Sequence, residues 1–301
     1  MGNGGSSVGI IGLGLMGTVM ARRLKVAGLD IAGYDVRAEA RAMFGDLGGR
    51  PVNSVAGIAR SCGRVVISVF DTGQVEDVIE GPGGLLSVPA GERAVKIAIN
   101  TSTCEPGRIA RLAERAAAQG LQVVELQISG TSQQVAQGDG VGLVAGDPAA
   151  AEAVRDVIDA ICPRTYFMGA FGNGTKTKLA INHILGLNRA ALAEGLVFAG
   201  RLGLPLEPFL EAAKGSAAYS QIMDVKGGKM IARDFSPHGK VGQSAKDFGL
   251  ILDAAKSRGQ SLPLADVYAA LMAGCIAAGE AELDNCAVIA EIGRRGEQNR
   301  T

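Results

Sequence analysis

Lys178 and Asn182 stand four residues apart in Gly172-Asn173-Gly174-Thr175-Lys176-Thr177-Lys178-Leu179-Ala180-Ile181-Asn182. They open a stretch, 175–202, that contains no proline and repeats apolar residues at three- and four-residue steps. In a helix that spacing puts both side chains on one face, with Leu185 and Arg189 further along it. A lysine in the first turn of a mostly apolar helix meets the positive end of the dipole, and desolvation adds to the penalty on its ammonium. Those conditions suit a lysine that gives and takes protons. Lys176 is the competitor, and the plainer alternative leaves both lysines facing solvent.

Two further clusters carry usable polar groups. Asn100-Thr101-Ser102-Thr103-Cys104-Glu105-Pro106 falls where an apolar run gives way to a helix. Its hydroxyls either reach a ligand beyond the strand end or cap the helix ahead of Pro106, with Ser102 or Thr103 as the cap. Ile128-Ser129-Gly130-Thr131-Ser132, followed by Gly138-Asp139-Gly140, ends another apolar run. Small residues at the carboxyl end of a strand expose N–H groups and hydroxyls suited to a carboxylate, although an ordinary turn has the same composition.

Residues 8–35, VGIIGLGLMGTVMARRLKVAGLDIAGYD, supply the strongest local pattern. A short apolar run ends in Gly12-Leu13-Gly14-Leu15-Met16-Gly17, an amphipathic helix follows, and a second strand stops at Asp35. Gly12 permits the tight strand-to-helix turn, Gly14 lets a pyrophosphate approach the backbone, and Gly17 allows close packing of helix on strand. The helix start offers free N–H groups and a positive dipole end, and Asp35 is placed to accept from a ribose 2′-OH. A dinucleotide is the ligand this context predicts.

Positioning these groups requires an ordered scaffold. Strands are expected at 8–12, 30–34, 64–69, 94–100, 122–128, 140–145 and 164–168, separated by helices such as 15–27, 54–61, 105–119 and 148–160. That alternation predicts an α/β, Rossmann-type, doubly wound and mainly parallel sheet covered on both faces. After Gly174 the strand signals stop, and helices are expected at 175–202, 206–214, 219–231, 241–258, 263–278 and 280–293. The expected organisation is a dinucleotide-binding domain over 1–170 and an all-helical domain over 171–301 for substrate and oligomerisation. The cleft between them is the default substrate site.

Composition bounds the partners. Lys+Arg and Asp+Glu are equal at 30 each, so charge gives no case for nucleic acid or an anionic membrane. No Trp and four Tyr leave little for stacking on bases. No segment is apolar and charge-free for long enough to cross a bilayer. Five scattered cysteines without CxxC spacing read as buried hydrophobes in a reducing compartment, hence a cytoplasmic protein. With two histidines, a Cys/His metal site has no support, and no metal is expected. MGNGGSS lacks the apolar core of a signal peptide; it fits a loose acylation pattern, and a flexible leader explains it better.

Together these segments resemble the β-hydroxyacid dehydrogenase family from Val8 to about Ile292. Gly12–Gly17 matches the family's cofactor motif, Ser129-Gly130 the core of its substrate motif, and Gly172-x-Gly174-x-x-x-Lys178-x-x-x-Asn182 its catalytic motif. Lys246-Asp247-Phe248 matches its late Lys-Asp-Leu motif. The resemblance implies an NAD(P)-dependent oxidoreductase that moves a hydride between cofactor and a small β-hydroxy acid/semialdehyde pair. It implies Lys178 as general acid/base, Ser129 and Asn182 as substrate contacts, and Lys246 near both substrate and cofactor. Val69, Phe70, Gln74 and Thr103 would add cofactor contacts, and Gly130 and Thr131 would join Ser129 around the carboxylate. NAD is expected over NADP: Asp35 would repel a 2′-phosphate, and Val36 stands where NADP-using relatives often carry Arg, although Arg37 could still reach a phosphate. Gln127 replaces the family's usual proline and Thr131 its second glycine; because a β-branched residue does not easily adopt positive φ, the loop is expected to differ in its path or its contacts. The alternatives are a member acting on an imine or sulfonate-bearing substrate, or a non-catalytic NAD(P)-binding protein. A homodimer or homotetramer is expected from the long apolar helix.

Overall fold

The computed structural model describes residues 7–298, so the acylation-like pattern at the extreme N-terminus lies outside the described residues. The first compact unit extends through Lys178 and the second begins at Leu179. The first contains strands β1 (Val8–Ile11), β2 (Ile31–Tyr34), β3 (Arg50–Pro51), β4 (Arg64–Ile67), β5 (Ile97–Asn100), β6 (Gln122–Ser129), β7 (Val141–Ala145) and β8 (Arg164–Phe167). Its helices are α1 (Leu15–Val26), α2 (Ala38–Asp46), α3 (Val55–Ser61), α4 (Thr72–Glu80), α5 (Pro106–Ala118), α6 (Ser132–Gln137), α7 (Pro148–Glu152) and α8 (Arg155–Ile161).

All strands join one sheet in the order β3-β2-β1-β4-β5-β6-β7-β8. Every pair is parallel except β6–β7. The exception has a simple cause: the segment 130–140, with only short α6 in it, is too brief for a parallel crossover. Successive residues of the central strands face opposite layers. Val8, Ile10, Val66, Ile99 and Val124 pack on one side; Ile11, Val65, Ile67, Ala98 and Val123 pack on the other.

α9 (Asn173–Arg201) runs from the first unit into the second. The second unit continues with α10 (Leu206–Lys214), α11 (Gly228–Ala232), α12 (Val241–Lys256), α13 (Pro263–Ala277) and α14 (Val288–Gln298). Leu196, Met230, Phe248, Tyr268, Met272 and Val288 are among its core residues.

Several expected elements differ. The helix expected at 148–160 is broken into α7 and α8 around Ala153-Val154. The one at 219–231 carries a π-helical segment, Met223–Gly227. The last expected helix begins late, because residues before Asn285 are held out of it: Asp284 bridges to Lys240, and its N–H donates to Phe235 O at 2.9 Å. The two-residue β3 was not expected; its Pro51 breaks the usual strand pattern. No described helix is long and apolar enough to cross a membrane.

Candidate active site

The glycine motif is built as its spacing requires. Gly12 has φ +92, and a Cβ there would lie 2.1 Å from the Ser68 carbonyl oxygen. A Cβ on Gly17 would lie 1.9 Å from the Gly12 carbonyl oxygen, so the partner Gly17 approaches most closely is the turn at Gly12. Above Gly14 a Cβ would meet nothing within 4 Å. No side chain caps α1 and no acidic residue occupies its first turn. Open space over an uncapped helix start fits the pyrophosphate of a dinucleotide. Leu13 is buried, Met16 half-buried and Leu15 exposed.

Asp35, 7% exposed at the end of β2, is already heavily used. It accepts from Leu13 N–H at 2.8 Å, Arg37 N–H at 2.9 Å, and Arg37 Nε and Nη2 at 3.0 and 3.2 Å. Burial pulls its carboxyl up, but Arg37's side-chain and backbone hydrogen bonds, Leu13's N–H and Arg37's charge outweigh that and hold it below its ordinary 3.8. Arg41 donates to Asp35 O at 2.6 Å, so two guanidiniums gather at this strand end. Val36 points to solvent.

The other expected cofactor contacts follow β4 and β5. Phe70 N–H donates to Gln74 Oε1 at 2.9 Å, and Val69 N–H donates to Ser102 Oγ at 3.0 Å. Neither Ser102 nor Thr103 caps α5. Glu105 does so, accepting from Gly107 and Arg108 N–H groups at 2.7 and 2.6 Å. A carboxylate one residue ahead of Pro106 displaces the hydroxyls from the capping role and leaves Ser102 to hold the Val69 turn. Thr103 is buried beside it.

At the end of β6, Ser129 and Gly130 are half-buried, and it is Gly130 that takes the positive φ, +150. Thr131 sits at φ −74 as the N-cap of α6, its Oγ1 accepting from Gln134 N–H at 3.2 Å while Gln134 Oε1 accepts from Thr131 N–H at 2.9 Å. Thr131 therefore needs no left-handed backbone. Its hydroxyl serves a capping box.

Lys178 is 9% exposed on α9, whereas Lys176 faces solvent and donates to Asn173 Oδ1 at 3.2 Å. The reading in which both lysines are solvated is thereby set aside. The α9 N-terminus is not left bare to oppose Lys178. Glu125, completely buried in β6, accepts from the N–H groups of Gly172, Gly174 and Thr175 at 2.8, 3.0 and 3.1 Å, and from Thr175 Oγ1. The carboxylate offsets the dipole that was expected to destabilise the ammonium. Burial lifts the Glu125 carboxyl above its ordinary 4.5 against the pull of those donors. One turn beyond Lys178, Asn182 Nδ2 donates to Asp247 Oδ2 at 2.9 Å. Asp247 Oδ1 accepts from Gln243 Nε2 at 3.1 Å and pairs with Lys246 Nζ at 3.1 Å. The Lys246-Asp247 dipeptide thus acts on Asn182 through its aspartate. Glu125 lies in the strand expected at 122–128 and Asp247 in Lys246-Asp247-Phe248, and neither is among the residues expected at the site.

Residues 7–169 match the family described as the NAD binding domain of 6-phosphogluconate dehydrogenase, and 172–292 that described as NAD-binding of NADP-dependent 3-hydroxyisobutyrate dehydrogenase. The chain is 30% identical to the L-threonate dehydrogenase of Cupriavidus necator, over 94% of this chain and 95% of the relative. It belongs to the β-hydroxyacid dehydrogenase family. A second relative of this dehydrogenase is the 2-hydroxy-3-oxopropionate reductase of Escherichia coli, 29% identical with 94% and 95% covered. The crystal structure of 3-hydroxyisobutyrate dehydrogenase from Salmonella typhimurium has a TM-score of 0.84 at 28% identity, covering 94% of this chain and 99% of that one. The dehydrogenase is an NAD(P)-dependent oxidoreductase that transfers hydride at the CH–OH group of β-hydroxy acids.

Proposed function

We propose that Lys178 is the general acid/base of this dehydrogenase and that its substrate is a short β-hydroxy carboxylate. The observation that carries this is the burial of Lys178 on a capped helix, one turn before an Asn182 amide whose orientation Asp247 fixes. A bound NAD(P) supplies the hydride acceptor or donor at its nicotinamide. Lys178 takes the hydroxyl proton during oxidation and returns it during reduction. Asn182, with one N–H spent on Asp247, orients Lys178 or the substrate hydroxyl. Ser129, Gly130 and Thr131 bind the carboxylate through hydroxyl and backbone N–H groups, and Lys246 adds positive charge. Residues 1–170 bind the dinucleotide, and 171–301 serve substrate binding and oligomerisation.

The cofactor preference proposed is NAD. Asp35, directly after β2, is an ionised carboxylate that accepts from a ribose 2′-OH once Arg37, 59% exposed, swings aside. Ile184 and Phe198 share one exposed face of α9, and Leu202 just beyond it is also exposed, which supports a homodimer or homotetramer. Five buried cysteines, none in a disulfide, suit a cytoplasmic setting.

The test is Lys178→Ala against a panel of short β-hydroxy acids. It should lower kcat by roughly a hundredfold or more with dinucleotide affinity nearly unchanged, and Lys176→Ala should be mild. Near-normal turnover by Lys178→Ala would end the proposal.

A further inference from the structure

Glu125, Gln127 and Ser129 occupy alternate positions of β6, whose register against β7 runs unbroken from Glu125 to Ser129. Alternation directs all three to one face, while Val124, Leu126 and Ile128 enter the core on the other. Glu125 and Gln127 are both completely buried; on β7 they face Ala145 and Leu143, and on β5 Glu125 pairs with the buried Asn100. Burying a carboxylate and a carboxamide side by side is costly unless their polar atoms are spent on specific partners, as both Glu125 oxygens and Gln127 Nε2 are, while Gln127 Oε1 is buried without one among the described residues.

The partners are the two other segments of the site. Glu125 gathers the first N–H groups of α9, and Gly174 exists in that motif to admit it: a Cβ on Gly174 would lie 2.9 Å from Glu125 Oε2 and 3.1 Å from Glu125 Cβ. Gln127 Nε2 donates to the carbonyls of Asn100 and Ser102 at 3.3 and 3.0 Å, immediately before Thr103. Asn100 closes that turn by exchanging hydrogen bonds with the Ser102 backbone at 3.1 and 3.3 Å.

We infer that Glu125 and Gln127 are the positioning residues of the reaction. Glu125 sets the height and direction of the helix that carries Lys178, and Gln127 sets the turn that carries Thr103, both relative to Ser129 on the same strand. The inference rests on Lys178 as acid/base and on Thr103 as a cofactor contact. A misplacement of about 1 Å at a reacting group costs up to a hundredfold in rate, so the two residues leave different kinetic signatures. Glu125 acts on kcat through Lys178, and Gln127 acts on KM for the dinucleotide through the Thr103 turn.

The experiment is steady-state kinetics with the full chain. Glu125→Gln keeps the shape but turns an NH2 group toward backbone donors; kcat should fall roughly thirtyfold with KM for the dinucleotide within about twofold. Glu125→Asp, which keeps the charge, should recover at least about fivefold of that loss. Gln127→Met should raise KM for the dinucleotide about three- to tenfold with kcat nearly kept. Should Glu125→Gln fail to fold, Thr175→Val decides instead, removing only the hydroxyl donor and lowering kcat about threefold at unchanged KM. A folded Glu125→Gln or Thr175→Val enzyme with wild-type kcat overturns the role of Glu125, and an unchanged KM in Gln127→Met overturns that of Gln127. An inactive Lys178→Ala beside a normal Glu125→Gln defeats this inference alone, whereas an active Lys178→Ala defeats the acid/base reading beneath it.

Discussion

Removing the Arg37 side chain should sharpen the preference for NAD over NADP. Asp35 holds four hydrogen bonds, from Leu13 N–H, Arg37 N–H, Arg37 Nε and Arg37 Nη2. Two of them vanish in Arg37→Ala, one on each carboxylate oxygen. The ion pair itself stabilises little, at most about 1 kcal/mol, because the guanidinium is 59% exposed and screened by solvent. A ribose 2′-OH that takes up the freed acceptor gains a charge-assisted hydrogen bond of about 1.5–3 kcal/mol. A 2′-phosphate meets the opposite change: it loses one of two guanidiniums at this strand end, Arg41 being the other, and faces a more exposed carboxylate. The combined shift is on the order of 2 kcal/mol, or roughly thirtyfold in the ratio of kcat/KM for NAD to that for NADP. Wild type and variant are compared with both cofactors and one hydroxy acid at constant ionic strength. A ratio that stays within about twofold, or moves toward NADP, would refute the view that Arg37 occludes Asp35 and serves the phosphate.

Other perturbations have defined outcomes. Gly17→Ala forces a Cβ into the Gly12 carbonyl and should cost about 1–3 kcal/mol of stability along with dinucleotide affinity, read by thermal melting and fluorescence titration; an unchanged pair of values would mean that α1 is not seated on Gly12. Asp284→Asn breaks a buried pair in which Lys226 Nζ lies 2.7 and 2.8 Å from the carboxylate and the N–H groups of His238, Gly239 and Cys286 also donate, so a loss of about 3–5 kcal/mol is expected in denaturant melts. Asp35 is held below its ordinary 3.8, so its ionised form favours the folded state; that contribution is complete above about pH 5 and lost as pH falls further. Asp35→Asn should therefore flatten the fall in Tm between about pH 5 and pH 2.5, and an unaltered slope would contradict the assignment.

What was legible in the sequence was local. The strand, the three glycines and the acid that follow Val8 lie within 28 residues, and two of the contacts are internal to that segment: Gly17 on Gly12, and Leu13 on Asp35. The helical face shared by Lys178 and Asn182 needs only 3.6-residue periodicity. The capping role of Thr131 is equally local, since Thr-x-x-Gln is a capping-box pattern. The break at Ala153-Val154 was less accessible, because an alanine-rich stretch carries no internal stop signal.

The positioning groups belong to a different class. Glu125 meets Gly172 and Thr175 across 47 and 50 residues, and Asn182 meets Asp247 across 65. Sequence shows that Gly174 is a glycine and that Glu125 is an odd acid in an apolar strand, but nothing local connects them. The fold connects them by bringing the start of α9 to β6, and each then explains the other. Without Glu125, the motif before Lys178 would need no glycine at 174. Without that glycine, the carboxylate would have no room to reach the helix it caps. A buried charge within an apolar strand is thus the one sequence signal that could have marked Glu125, because such a charge persists only where several donors converge on it.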